Sequence, residues 1–120
     1  MRGKAYRDSF VAAHVSNTIA AQIVALRTQR NWTQTRLAKE AGMKQSRISA
    51  LEDPNNENIE TKTLIRLASA FDIGLMVLFC PYSSIANWAS NITEDALAPP
   101  NFEHDKLPTN ETTAIEIPWK

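Results

Sequence analysis

The sequence predicts a mostly α fold of about five helices with one C-terminal β-strand. Three observations carry that prediction. Apolar side chains recur at steps of three and four, at Val11, Val15, Ile19, Ile23 and Leu26 and again at Leu37, Ala38 and Ala41, which is the period of a helix. Short hydroxyl residues and glycine stand where such helices begin and end, as at Thr33 and Gly42. Only one stretch, Ile73 to Cys80, is an almost continuous apolar run. It is short and rich in residues that favour strands.

The elements follow in order. Residues 9–30 hold no Gly or Pro, and Asp8 or Ser9 is the expected cap of a long first helix. Thr33 is the expected cap of a second helix, which buries Leu37, Ala38 and Ala41 and stops at Gly42, where a left-handed backbone is cheap only for glycine. A third short helix is expected from Gln45 to about Leu51. Asp53-Pro54-Asn55-Asn56-Glu57-Asn58 is a polar loop with strong turn chemistry. Thr61 is the expected cap of a fourth helix whose buried stripe is Leu64, Ile65, Leu67, Ala68 and Phe71. The strand at 73–80 ends at Pro81. A lone strand leaves backbone groups unpaired, so the same strand of a second molecule is its simplest partner, with Leu75, Val77 and Phe79 at the dimer contact. A short helix over Ser84–Ser90, carrying Ile85 and Trp88, is expected to pack on that ribbon. From Asn91 onward, prolines at 99, 100, 108 and 118 argue against regular structure, although Phe102, Ile115, Ile117 and Trp119 could pin the tail.

Composition narrows the function. At 120 residues the chain suits one domain with a modest core, and 43% apolar with 22% charged residues is ordinary for a soluble protein. No run of about 18 apolar residues stands out, so no membrane span is expected. The N-terminus begins basic but lacks the apolar stretch of a secretory signal. The single cysteine, Cys80, allows no internal disulfide, and a reducing cytoplasm is the expected location. Within its apolar run Cys80 reads as a small buried hydrophobe. Net charge is zero but unevenly spread. Residues 1–25 carry three basic and one acidic group, 26–66 eight and five, and 67–120 two and seven. A positive middle with an acidic tail suits an electrostatic footprint on a polyanion. His14 and His104 lack neighbours at metal-ligand spacing, and no cofactor, phosphate loop or nucleophile elbow is apparent, so catalysis is not expected.

The informative stretch runs from Gln34 to Glu52. Two short helices meeting at a tight turn need a small residue where their axes approach, here Ala38, and a glycine at the turn, here Gly42. At about 100° per residue, Ile48 and Leu51 point one way while Gln45, Ser46, Ser49 and Ala50 form a separate arc flanked by Arg47. That is the layout of a helix presented to the DNA major groove. The segment Gly42-Met43-Lys44-Gln45-Ser46-Arg47-Ile48-Ser49-Ala50-Leu51 resembles the helix-turn-helix of the Cro/XRE superfamily of repressors, especially the lambda-repressor type. The resemblance spans about residues 19–72.

The resemblance implies that Gln34 binds a phosphate and braces Gln45, that Gln45, Ser46 and Ala50 touch bases, and that Arg27 and Glu52 form a structural ion pair. Chemistry fits these roles: Gln pairs bidentately with adenine, and an Ala methyl can rest on a thymine methyl. The expected base contacts are therefore Gln45, Ser46, Ser49 and Ala50. The expected phosphate contacts are Gln34, Thr33, Lys44, Arg47, Asn55, Asn56, Asn58 and Lys62, which fix register without reading sequence. Arg36 and Lys39 read as solvated, and Trp32 and Trp88 as packing residues. Lys44 departs from the pattern, standing at the cap of the third helix where Ser or Thr would bond a free N–H better.

Together these readings divide the chain into a helix-turn-helix DNA-binding domain at 1–72, a dimerisation strand and helix at 73–90, and an irregular acidic tail at 91–120. They predict a cytoplasmic homodimeric repressor on a palindromic double-stranded operator, with recognition helices about 34 Å apart. The rival is an antitoxin or adaptor that binds a protein partner through the strand or tail and binds DNA for autoregulation.

Overall fold

A computed structural model describes residues 3–56 and 58–106. Four helices build the core: α1 (Lys4–Gln29), α2 (Gln34–Ala41), α3 (Gln45–Leu51) and α4 (Thr61–Phe71). Two more follow, α5 (Tyr82–Ser90) and the single turn α6 (Glu94–Leu97), then a 3-10 turn at Phe102–His104.

Helix α1 starts at Lys4, capped by the backbone of Gly3, several residues before the expected Asp8 or Ser9. Nothing between Gly3 and Ser9 breaks a helix, and Lys4 Nζ donates to Asp8 at 2.9 Å one turn along. Its buried face does not follow the whole apolar repeat. Val15 is exposed while Ser16, Ala20, Ile23 and Leu26 are buried, because the core begins only near Ala20 and the earlier turns project past it. The Ser16 hydroxyl bonds back to the Ala12 carbonyl at 3.2 Å, so its burial leaves no donor stranded. By length and composition α1 could cross a membrane, which corrects the expectation that no such segment exists. In the structure its second half carries the core's Ala20, Ile23 and Leu26.

Beyond α1 the backbone turns through Asn31 at φ +57°, a left-handed position that Asn tolerates. Thr33 caps α2, its Oγ1 accepting the Arg36 N–H at 3.0 Å. Gly42 ends α2 at φ +67°, and the Met43 N–H reaches the Ala38 carbonyl at 2.8 Å. Leu37 and Ile48 are fully enclosed, and with Leu26, Leu51, Leu67 and Phe71 they form the centre of the core. In α4 the expected cap moves by one: Glu60 precedes the helix and Thr61 is its first residue. Ile65 is 56% exposed, correcting its place in the buried stripe, whereas Thr63 is buried. Two steps of 100° carry Ile65 to the side opposite Leu67.

Among the described residues there is no strand, so the expected strand at 73–80 is not seen in the single chain. A strand exists only by pairing with another, and one copy offers this segment no partner. Leu75, Met76, Val77, Leu78 and Phe79 are all exposed, Phe79 completely so at 106%. Cys80 is also exposed, contrary to its reading as a buried hydrophobe. Helix α5 starts at Tyr82, and its Trp88 meets His14 of α1 edge-on at 5.6 Å between ring centres. The tail also departs from expectation. Besides α6 and the 3-10 turn, Ala98 lies in the core at 4% exposure, Gln22 Nε2 donates to the Ala96 carbonyl at 3.1 Å, and the Phe102 N–H donates to the Asp72 carbonyl at 2.8 Å. Ala98 and these two hydrogen bonds, rather than the exposed Phe102 ring, fasten it. The readings of Ile115, Ile117 and Trp119 lie outside the described residues.

Candidate nucleic-acid interface

The candidate interface is built on α3. Ile48 and Leu51 anchor the helix in the core, which leaves Gln45, Ser46, Arg47, Ser49 and Ala50 exposed on one continuous face. The Lys44 side chain makes no cap, and the Arg47 and Ile48 N–H groups bond to its backbone carbonyl instead. Thr33 and Gln34, at the start of α2, stand beside the N-terminus of α3. Gln45 Nε2 donates to Gln34 Oε1 at 2.6 Å, so α2 holds the first residue of the exposed face.

That brace continues inward. Gln34 Nε2 donates to Glu52 Oε1 at 3.1 Å, and Glu52 in turn accepts Nε and Nη2 of Arg27 at 2.7 and 3.0 Å. Arg27 Nη1 completes the set on the Trp32 carbonyl at 3.0 Å. The hydrogen bond to Glu52 raises the Arg27 guanidinium above its ordinary value, with burial opposing and the Glu52 charge assisting. The ion pair ties α1 to the end of α3, and one chain of polar contacts joins it to the surface at Gln45. The pair and the Gln34–Gln45 brace were each expected; their connection through Glu52 Oε1 was not. Its only sequence signal is that Gln34 and Glu52 flank the same two-helix unit.

The remaining candidates divide. Lys44 is exposed and, among the described residues, forms no ion pair. Arg47 folds against α4, its Nη2 donating to Thr63 Oγ1 at 2.9 Å and lying 3.9 Å from Glu60. Lys62 lies 3.5 Å from Glu60. In the loop after α3, Asn55 offers an exposed side chain while its N–H bonds Asp53 Oδ1, and Asn56 Oδ1 accepts the Asn58 N–H at 3.0 Å. Asn56 is thus engaged in turn formation, and Asn58 is exposed. Arg36 pairs with Glu40 at 2.9 Å and lies 5.1 Å over the Trp32 ring, while Trp32 stacks on Phe71 at 5.8 Å.

Arg30 was not singled out in the sequence. Its Nη2 donates to the Phe71 carbonyl at 2.9 Å and its Nη1 to the Leu26 carbonyl at 3.2 Å, clamping the ends of α1 and α4. Burial lowers its guanidinium from the ordinary value, partly offset by Asp72. A basic side chain at the C-terminal end of a helix was the available signal.

Residues 23–78 match the family model described as Helix-turn-helix. The match is to the Cro/C1 type of helix-turn-helix. This helix-turn-helix family is one of DNA-binding transcription regulators, and its match covers α2, α3 and α4 together with the last seven residues of α1 and most of the exposed apolar segment. Comparisons with curated proteins and with solved structures return no match.

Proposed function

We propose that the chain is a dimeric repressor that binds a palindromic double-stranded DNA operator in the cytoplasm through α3. The carrying observation is the polar face Gln45–Ala50, turned outward by the burial of Ile48 and Leu51 and braced at its first residue by Gln34. A face of short polar side chains without large apolar groups fits against base edges. Gln45, Ser46, Ser49 and Ala50 read bases in this proposal. Thr33, Gln34, Lys44, Asn55 and Asn58 meet phosphates, with Arg47 and Lys62 contributing from the α4 side. Asn56 shapes the loop that carries them. The exposed apolar side chains of Leu75, Val77 and Phe79 support pairing with a second copy. Repression is by occlusion, since α3 offers contacts and no chemistry.

Selection of bound sites from random duplex DNA tests this directly. It should return a palindrome whose half-sites are about one helical turn apart. Gln45→Ala should then lose discrimination at one base pair in each half-site, by about 1–3 kcal/mol. Recovery of no enriched sequence, or uniform weakening across all sequences in the variant, would remove the reading.

A further inference from the structure

The polar chain from Arg27 to Gln45 has a direction. Both Glu52 oxygens accept Arg27 N–H groups, at 2.7 and 3.0 Å, in a charge-assisted ion pair. An ionised carboxylate only accepts hydrogen bonds. Of the two ends of the Gln34 carboxamide, therefore, only the NH2 can face it, as the 3.1 Å contact to Oε1 has it. The Gln34 oxygen is thereby turned the other way, toward Gln45, and the Gln45 carboxamide must meet it with its own NH2, at 2.6 Å. One N–H and the Oε1 of Gln45 remain, on an exposed residue at the leading end of α3.

We propose that Glu52 is a specificity-determining positioning residue: through Gln34 it fixes which end of the Gln45 carboxamide is left for DNA, and so which purine Gln45 accepts. The inference rests on the DNA-binding reading above. A free N–H beside a free Oε1 matches adenine, whose major-groove edge offers the N7 acceptor and the N6 donor. Guanine offers two acceptors, N7 and O6, and would set one of them against Gln45 Oε1. With the carboxamide reversed, Gln45 would spend its oxygen on Gln34 and present two N–H groups, which suits guanine. Glu52 closes that second arrangement from inside the protein, without touching DNA.

The test uses the full chain and the duplex recovered by selection, with adenine or guanine at the position Gln45 contacts. The unaltered protein should favour adenine by about tenfold or more, the ratio that one bidentate contact supplies. In Glu52→Gln either end of residue 52 can face Gln34, so the ratio should fall to about one, the value for no discrimination. Gln34→Met leaves the ion pair intact, so it keeps the test available if Glu52→Gln does not fold, and it should also collapse the ratio. A fall in affinity with the full ratio kept, in a variant that melts cooperatively, would mean that the contacts are only structural and would overturn the proposal. NMR of the DNA-free protein gives an independent reading. The Gln45 carboxamide protons should move toward free-amide positions in Gln34→Met, and unmoved resonances would equally overturn it. If the unaltered chain binds no duplex, the DNA reading fails and the preference with it; if it binds and folded variants keep the preference, only the relay fails.

Discussion

Glu52 accepts three hydrogen bonds within a site that leaves its side chain 8% exposed, against 20% for Arg27. A carboxylate that far from water depends on its partner. Arg27→Met keeps the length of the side chain but strands the charge, and should destabilise the fold by about 3–5 kcal/mol, the range for breaking a buried pair from one side. Urea unfolding measures it; a loss below 1 kcal/mol, within the range of exposed pairs, would mean that water screens the pair. At this scale the sequence was informative where a residue's role is set by neighbours a few positions away. Thr33 caps and Gly42 turns because their own backbone demands it. It was silent on the engagement of Arg47, whose guanidinium is held by Thr63 of α4. Such engagements depend on where α4 comes to rest.

Helices α2 and α3 keep their angle through one residue, Gly42, at φ +67° with open space where a Cβ would stand. Sterics with neighbours are therefore not the issue, and Gly42→Ala isolates the backbone term. It should cost about 1–2 kcal/mol, the penalty of a left-handed conformation for an L-residue. Thermal unfolding reads that cost, and an unchanged melting temperature would show that the turn relaxes to another geometry. Elements with a strong period and a defined stop were legible, since α2 and α3 lie where Thr33, Gly42 and the Ile48–Leu51 pair put them. The long first helix was harder. Its apolar positions continue through Val11 and Val15 beyond the reach of the core, so periodicity alone could not tell which turns are covered. Ile65 misled for the related reason that it is apolar on the outer side of α4.

At the scale of the whole molecule, the run Leu75–Phe79 is a continuous apolar stretch exposed in the single chain. Val77 makes no backbone hydrogen bond among the described residues. Val77→Pro should accordingly leave the helical core intact while removing a donor that strand pairing requires. Sedimentation of the unaltered chain should give a dimer and of the variant a monomer, with the same melting cooperativity per chain. A dimer in both would place the contact elsewhere, and a monomer in both would leave the segment to a different protein. The identity of the run as apolar and non-helical was readable from Ile73 to Cys80, but its covering was not, because strand pairing belongs to two segments at once. The docking of residues 91–106 was hidden as well: Ala98 is too small and too ordinary a residue to advertise burial.

The bond from Phe102 N–H to the Asp72 carbonyl draws together two points thirty residues apart in the chain, with the exposed run and α5 between them. A stretch held at both ends has already surrendered much of the wandering open to a free arm. Any surface that meets it consequently encounters a presented loop, with less ordering left to do on contact. Cutting the chain just past α5 would remove none of the side chains of Leu75–Phe79, yet it would turn that loop into a dangling end and make each of its contacts harder to keep.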